Sequence, residues 1–325
     1  MTLRDMGSGV RACLTAIGCA MCLASTAALA ASPQKPIRFI VPFGPGGATD
    51  IVARAVAQRL TEAWGQTVVI DNRGGAGGIV GTELVARATP DGHTLLLATT
   101  SNATQVALQS KLPFDLLKDF APVTQLIDAP FVLTANPKVA PGSLKELIAA
   151  AKAKPGSLNY GTVGGFNLLM MELVKSMSGT DITAVPYKGV GPALIDLTAG
   201  RIHLMLFSVG VAQPYLKDGR LRAVAVTTAR RVALLPAVPT VAETLPGYDM
   251  TAWYGVLAPG RTPRPVVEKL HAEIVRILKT HEIQESFGQQ GFITVGSTPA
   301  AFAAQLSGSI VKFRRIVQDA KVQVE

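Results

Sequence analysis

From residue 37 onward, short runs rich in β-branched and other apolar residues alternate with longer stretches of helical period, and this alternation limits the fold more than any other feature of the chain. An apolar run of roughly four to eight residues suits a strand, whereas apolar residues three and four apart mark one face of a helix. The segment 37–43 reads as a strand and 67–70 as the next. Between them Ile51, Ala55, Val56, Leu60 and Ala63 repeat at helical spacing and predict an amphipathic helix over 49–64. Further strands are expected at 94–98, 131–135, 158–161, 182–186, 202–207, 221–227 and 253–258, and further helices over 78–87, 143–152, 168–177, 192–198, 263–279 and 299–320. Such alternation predicts an α/β fold of parallel strands linked by crossover helices. No low-complexity linker interrupts it, so a division into two lobes requires the chain to cross at ordered strands, first near 129–137 and back near 246–253.

The first thirty residues stand apart. Arg4 and Arg11 precede an almost uncharged run that ends in Ala28-Leu29-Ala30, the order of a secretory signal: basic start, apolar middle, small residues before the cut. As a membrane anchor the run is thin, being rich in Ala, Thr, Ser and Gly and followed at once by Pro33 and Lys35. Residues 1–30 are therefore expected to be a signal peptide, cleaved after Ala30 or Ala31. Lipid attachment at Cys19, after Ala16-Ile17-Gly18, is the weaker alternative. Cys13, Cys19 and Cys22 all lie in the expected signal, so the mature chain would hold no thiol and no disulfide. Its remaining length, about 295 residues, buries a large core without them. Cleavage takes away Arg4, Asp5 and Arg11 and leaves 29 basic against 21 acidic residues, a balance of +8 that suits anionic partners. The basic residues are scattered singly with no aromatic interleaving, which argues against nucleic acid.

The segment Val41-Pro42-Phe43-Gly44-Pro45-Gly46-Gly47-Ala48-Thr49-Asp50 runs from a strand through a glycine-rich turn into a helix. Such a turn exposes backbone amides, and a helix start adds unpaired N–H groups and a positive dipole end, so the loop can hold a carboxylate without a charged side chain. A plain tight connection capped by Thr49 or Asp50 accounts for the same residues, and the sequence leaves both readings open. Nucleotide readings fail on spacing: after Gly44 and Gly46 the third position is Thr49, GxxxxGK[ST] occurs nowhere, and the cluster 74–81 lacks the dinucleotide register. Polar clusters also follow two predicted strands, Thr99-Thr100-Ser101-Asn102 and Tyr160-Gly161-Thr162-Val163-Gly164-Gly165. In open α/β sheets ligands sit beyond the carboxyl ends of strands, where these groups would converge; helix capping is compatible with the same placement.

Signatures of catalysis are missing. There is no GxSxG and no HExxH, the mature chain would hold no cysteine, and His93, His203, His271 and His281 do not share a metal-ligand spacing. Asp50, Asp91, Glu172 and Asp196 are isolated carboxylates, more often caps or solvated partners than acid–base pairs. The residues thus point to binding without catalysis, with no metal and no cofactor. An enzyme acting on an organic acid is the alternative from another class.

Taken together, "KPIRFIVPFGPGGATDIVAR", "VVIDNRGGAGGIVGTELVARATPDGHTLLLAT", "LNYGTVGG", "VPYKGVGPALIDLTAGRIHLML" and "PGYDMTAWYGVLAP" resemble the Bug family, bacterial periplasmic receptors similar to the binding component of tripartite tricarboxylate transporters. The resemblance runs from about residue 35 to the C-terminus. It implies a periplasmic, two-lobed Venus-flytrap binding protein with a hinge, taking residues 32–133 plus 250–325 as lobe one and 134–249 as lobe two. It further implies a small carboxylate ligand held at the first strand–helix loop through backbone amides and waters, with inner-membrane transporter subunits as partners, or a membrane signalling protein if the receptor is a sensor, and a monomeric chain. By position the site would comprise Phe43, Gly46, Gly47, Thr49, Ser101, Asn102, Thr162, Gly164 and Ser208. Two departures stand out: Leu168 occupies a place where relatives usually carry histidine, and Ser208 a place where many carry an acidic or amide residue. Both changes take polar groups away from the far side of the cleft.

Overall fold

The computed structural model describes residues 35–163 and 165–322; the expected signal peptide with its three cysteines, and Gly164, lie outside them. From Ile37 onward the chain is one compact unit built on two sheets. The first half of the first sheet follows from the alternation in the sequence. Strand β1 (Ile37–Val41) leads into helix α1 (Ala48–Trp64), which returns to β2 (Val68–Asn72); α2 (Ile79–Ala86) then leads to β3 (Thr94–Thr99) and α3 (Thr100–Leu108). Strands β2 and β3 flank β1, both parallel to it, as crossover helices require. Strands β1 and β3 are largely buried on both faces, with Phe39, Ile40, Leu95, Leu96 and Leu97 excluded from solvent, which is why they read as continuous apolar runs, whereas β2 at the sheet edge leaves Val69 exposed.

The chain then runs through β4 (Phe120–Ala129) and, past Pro130, into β5 (Phe131–Ala135), which belongs to the second sheet. The change of sheet falls at Pro130. Helix α4 (Leu144–Ala153), β6 (Asn159–Thr162), α5 (Gly165–Ser178), β7 (Thr183–Pro186), α6 (Val190–Thr198), β8 (Leu204–Ser208), α7 (Val209–Lys217) and β9 (Arg222–Val226) complete that sheet in the order β7-β6-β8-β5-β9. Strand β10 (Ala252–Pro259) returns to the first sheet. It is followed by α8 (Arg264–Leu278), α9 (His281–Gln289), β11 (Ile293–Thr294) and α10 (Pro299–Asp319), and the final order is β11-β4-β10-β3-β1-β2.

Neither sheet is wholly parallel, contrary to the expectation from strand–helix alternation. Strand β5 is antiparallel to both β8 and β9, and β10 is antiparallel to both β3 and β4. The reversal has a geometric cause. A strand that leaves one sheet at its carboxyl end and continues straight on enters the second sheet at the carboxyl ends of that sheet's strands, and so must run against them. Both strands that enter a sheet by crossing are therefore reversed, as is the short edge strand β11 against β4, and the carboxyl ends of the parallel strands of the two sheets face each other. Around the crossing the Thr227 N–H donates to the Phe131 carbonyl at 2.9 Å, the Phe131 N–H to Thr227 Oγ1 at 3.3 Å, and the Met250 N–H to the Thr227 carbonyl at 2.9 Å.

Asp128 sits on β4 two residues before the crossing, opposite Trp253 and Ile293. Burial pushes its carboxyl up to about 6 against the opposing effect of a 2.6 Å hydrogen bond from the Gln125 amide, and the nearby Asp249 adds to the rise. A carboxyl whose folded-state pKa is raised stabilises the fold fully below its unfolded value near 3.8 and loses that contribution as pH climbs through 6. Asp128→Asn, which keeps an acceptor for Gln125, should therefore raise unfolding free energy at pH 8 by about 1–2 kcal/mol and bring little gain at pH 4, as read by urea denaturation at the two pH values.

Candidate functional site

Between the facing sheet ends lies a cavity of about 650 Å³. Its lining is built from the carboxyl ends of strands and the first turns of the helices that follow them. From the first sheet come Phe43, Gly47 and Thr49 at the start of α1, Thr99, Thr100 and Ser101 at the start of α3, and Tyr254 on β10. From the second come Phe131, Phe166 and Asn167 at the start of α5, Val190 at the start of α6, and Leu206, Ser208 and Val211 around the start of α7. Five helices thus begin at one cavity, and among the described residues its lining contains no Asp, Glu, Lys, Arg or His. Gly47, Gly189 and Ser208, the N-cap residues of α1, α6 and α7, make no side-chain cap bond, so the first-turn N–H groups of these helices are not closed off by capping side chains.

The glycine loop is held by a buried carboxylate. Asp50, in the first turn of α1, accepts from the Gly46 N–H at 3.0 Å, from Arg54 Nε at 2.8 Å and from Asn72 Nδ2 at 3.0 Å; Asn72 Nδ2 also donates to the Phe43 carbonyl at 3.1 Å. The Arg54 guanidinium, helped by the Gly46 and Asn72 donors, holds the Asp50 carboxyl down to about 2 against the cost of burial. Gly46 and Gly47, which the sequence treats as a pair, separate here. The Gly46 N–H is taken by Asp50, its φ is +84°, and Gly46 is not among the lining residues. Gly47 has φ −82° and ψ 172°, an ordinary extended conformation, and lines the cavity. Only Gly46 therefore needs to be glycine for backbone reasons.

The remaining expected site residues divide similarly. Phe43, Thr49, Ser101 and Ser208 line the cavity with Gly47. Asn102 does not: it is buried under α3, where its Oδ1 accepts from the Thr99 N–H at 2.7 Å and its Nδ2 donates to Thr82 Oγ1 at 2.7 Å, closing a capping box. Thr162 is buried at the end of β6 and is likewise not part of the lining. Gly164 lies outside the described residues. Sequence reasoning did not single out Phe131, Tyr254, Gln105, Phe166 and Asn167. Only Phe166 and Asn167 had a usable signal, since they directly follow the glycine turn after β6. Leu168, in the place of the family histidine, packs against the core, while the preceding Asn167 supplies a polar group on this side of the cavity. Glu172 is not at the cavity; it accepts from the Tyr160 hydroxyl and from Lys175 Nζ, each at 2.8 Å, and ties α5 to β6. Burial raises the Tyr254 phenol to about 12, so it is neutral at physiological pH.

Two α/β halves joined by crossing strands, with a cavity between the strand ends, define a two-lobed periplasmic binding protein. The family model described as the tripartite tricarboxylate transporter family receptor matches residues 52–321, and the chain belongs to that family. The chain is 36% identical to protein BugT of Bordetella pertussis, over 88% of this chain and 90% of BugT. Among solved structures it is similar to the periplasmic binding protein BugD, with 31% identity, TM-score 0.78, and coverage of 90% of this chain and 99% of that one. It is also similar to two proteins from Rhodopseudomonas palustris: Rpa4515 with adipate, at 34% identity and TM-score 0.80, covering 90% of this chain and 99% of that one, and MatC with bound malate, at 32% and 0.77, covering 88% and 100%. The family and these neighbours are solute-binding receptors.

The Asp50 network sets an acid limit on the site. Because the folded-state pKa is depressed, the stabilisation is present above the ordinary value of 3.8 and is lost as pH falls through 2. Asp50→Asn should flatten the decline of unfolding free energy between pH 4 and pH 2 and destabilise the protein at pH 7, where Arg54 loses its partner; a pH series of denaturant melts on both proteins checks it.

Proposed function

We propose that the protein captures a small carboxylate between its two lobes and presents the closed, loaded form to the membrane subunits of a tripartite tricarboxylate-type transporter. The observation that carries this reading is the convergence of five helix N-termini on a cavity whose lining, among the described residues, holds no charged side chain. Each helix start brings donor N–H groups and roughly half a positive charge, which favours an anion without the desolvation cost of burying a cation. A carboxylate supplies the matching acceptors, and charge-assisted bonds to backbone amides are short and strong. The malate and adipate bound by MatC and Rpa4515 are of this chemistry. In this reading the lobes are residues 37–129 with 252–322 and the intervening segment, and they close about the crossings at Pro130 and 227–251. Closure selects the ligand because contacts from the second lobe form only then. Nothing in this action requires catalysis, a cofactor or a metal.

Gly47 supplies the test. Its backbone accepts an L side chain without strain, and a Cβ there would meet nothing closer than Thr49 Oγ1 at 4.0 Å. Gly47→Val should fold with the cooperativity of the wild type but crowd the first-turn amides of α1. A bound acid at about 100 times its Kd adds roughly 2.7 kcal/mol to the folded state. In a thermal-shift screen of organic acids, including malate and adipate, the wild type should show this gain for at least one acid and Gly47→Val should lose it. A screen in which no carboxylate stabilises the wild type, or one in which the variant keeps the full gain, rules the reading out.

A further inference from the structure

Asn167 holds a buried acceptor that the protein leaves without a partner. It lies in the first turn of α5, is 7% exposed and lines the cavity. Its Nδ2 donates to the Leu206 carbonyl at 2.9 Å, and Oδ1 has no hydrogen-bond partner among the described residues. The orientation of the amide is settled by chemistry: a carbonyl oxygen only accepts, so the NH2 must face Leu206 and the bare oxygen is left over. A buried carbonyl without a donor costs free energy that a bound molecule can recover. Thr262 Oγ1, the other such atom among the described residues, is not part of the cavity lining.

A second carboxylate cannot be that partner, since it is itself an acceptor only. The required group is an O–H or N–H. A buried ammonium calls for an acidic neighbour, and among the described residues the lining has none, so an uncharged donor suits the site. The space between is walled by the rings of Phe43, Phe131, Phe166 and Tyr254, which suit an apolar body. A hydroxyl is such a donor and needs no charged partner.

Building on the carboxylate reading above, we infer that the ligand is a monocarboxylate whose apolar body carries an uncharged hydrogen-bond donor at the end remote from the carboxylate, and that Asn167 selects it over dicarboxylates. The carboxylate lies at the starts of α1 and α3, and the donor reaches Asn167 across the cavity.

Calorimetric titration of the mature chain with two matched series tests this: benzoate, 4-hydroxybenzoate and terephthalate; hexanoate, 6-hydroxyhexanoate and adipate. In at least one series the hydroxy acid should bind about tenfold more tightly than both the unsubstituted acid and the dicarboxylate, the worth of one well-made buried hydrogen bond. Asn167→Leu should bring the hydroxy and unsubstituted acids to within about twofold of each other. Asn167→Ala, which removes the same oxygen with less bulk, should do the same and serves if the leucine variant fails to fold. The inference is overturned if the dicarboxylate binds as tightly as the hydroxy acid in both series, if the preference survives Asn167→Leu, or if none of the six acids binds. Tight binding of malate or adipate alone leaves the carboxylate reading standing and sinks only this one; failure of every acid sinks both.

Discussion

The straight passage of β4 through Pro130 into β5 is the constraint on which the rest of the molecule depends. It forces the second sheet to present its carboxyl ends toward those of the first, and five of the helices that follow these strands then start at the same cavity. A site assembled in this way is electrostatic without being charged. Peptide dipoles and first-turn N–H groups do the work that arginine or lysine would do elsewhere, and they are already aligned before the ligand arrives, so little reorganisation is needed on binding.

Such a site is only as accurate as the loops that aim it, and the protein spends its buried polar residues on those loops. Asp50 gathers Gly46, Arg54 and Asn72, and Asn72 reaches the Phe43 carbonyl. The Thr100 hydroxyl accepts from the Trp253 N–H at 2.7 Å and donates to the Trp253 carbonyl at 3.2 Å, fixing the start of α3 to the returning strand β10. Trp253 is itself anchored by a 3.0 Å bond from its ring N–H to Ser309 Oγ on α10. The residues that position the site are therefore mostly not the residues that line it. Gly46 and Asn102 belong to the first group, although their place in the sequence suggests the second.

Much of the α/β pattern was legible because strands buried on both faces and amphipathic helices carry strong periodic signals. The segments 37–43, 94–98, 131–135 and 299–320 all correspond to elements of the structure. Strand β4 was not foreseen: it contains Pro122 and the buried polar residues Thr124 and Gln125, and its register against β10 shifts twice. Those traits suit a strand that is irregular along its length and mimic a loop in sequence. Helices α3, α7 and α9 were not among the expected helices; each is nine residues long, and α7 contains Pro214.

What the sequence determined by itself was the class of elements, their order, and a glycine turn whose amides could meet an anion, because strand and helix periods and the backbone freedom of glycine are local properties. Tertiary structure alone decided which residues share the cavity. Phe131 and Tyr254 are brought to it by strands that cross between sheets in opposite directions. Asn102 is turned away from it by a capping box, and Asn167 is left with a bare oxygen because Leu206, 39 residues on, occupies its amide. Hydrogen-bond partners so distant in the chain have no period or motif, so their pairing exists only once the two sheets have met.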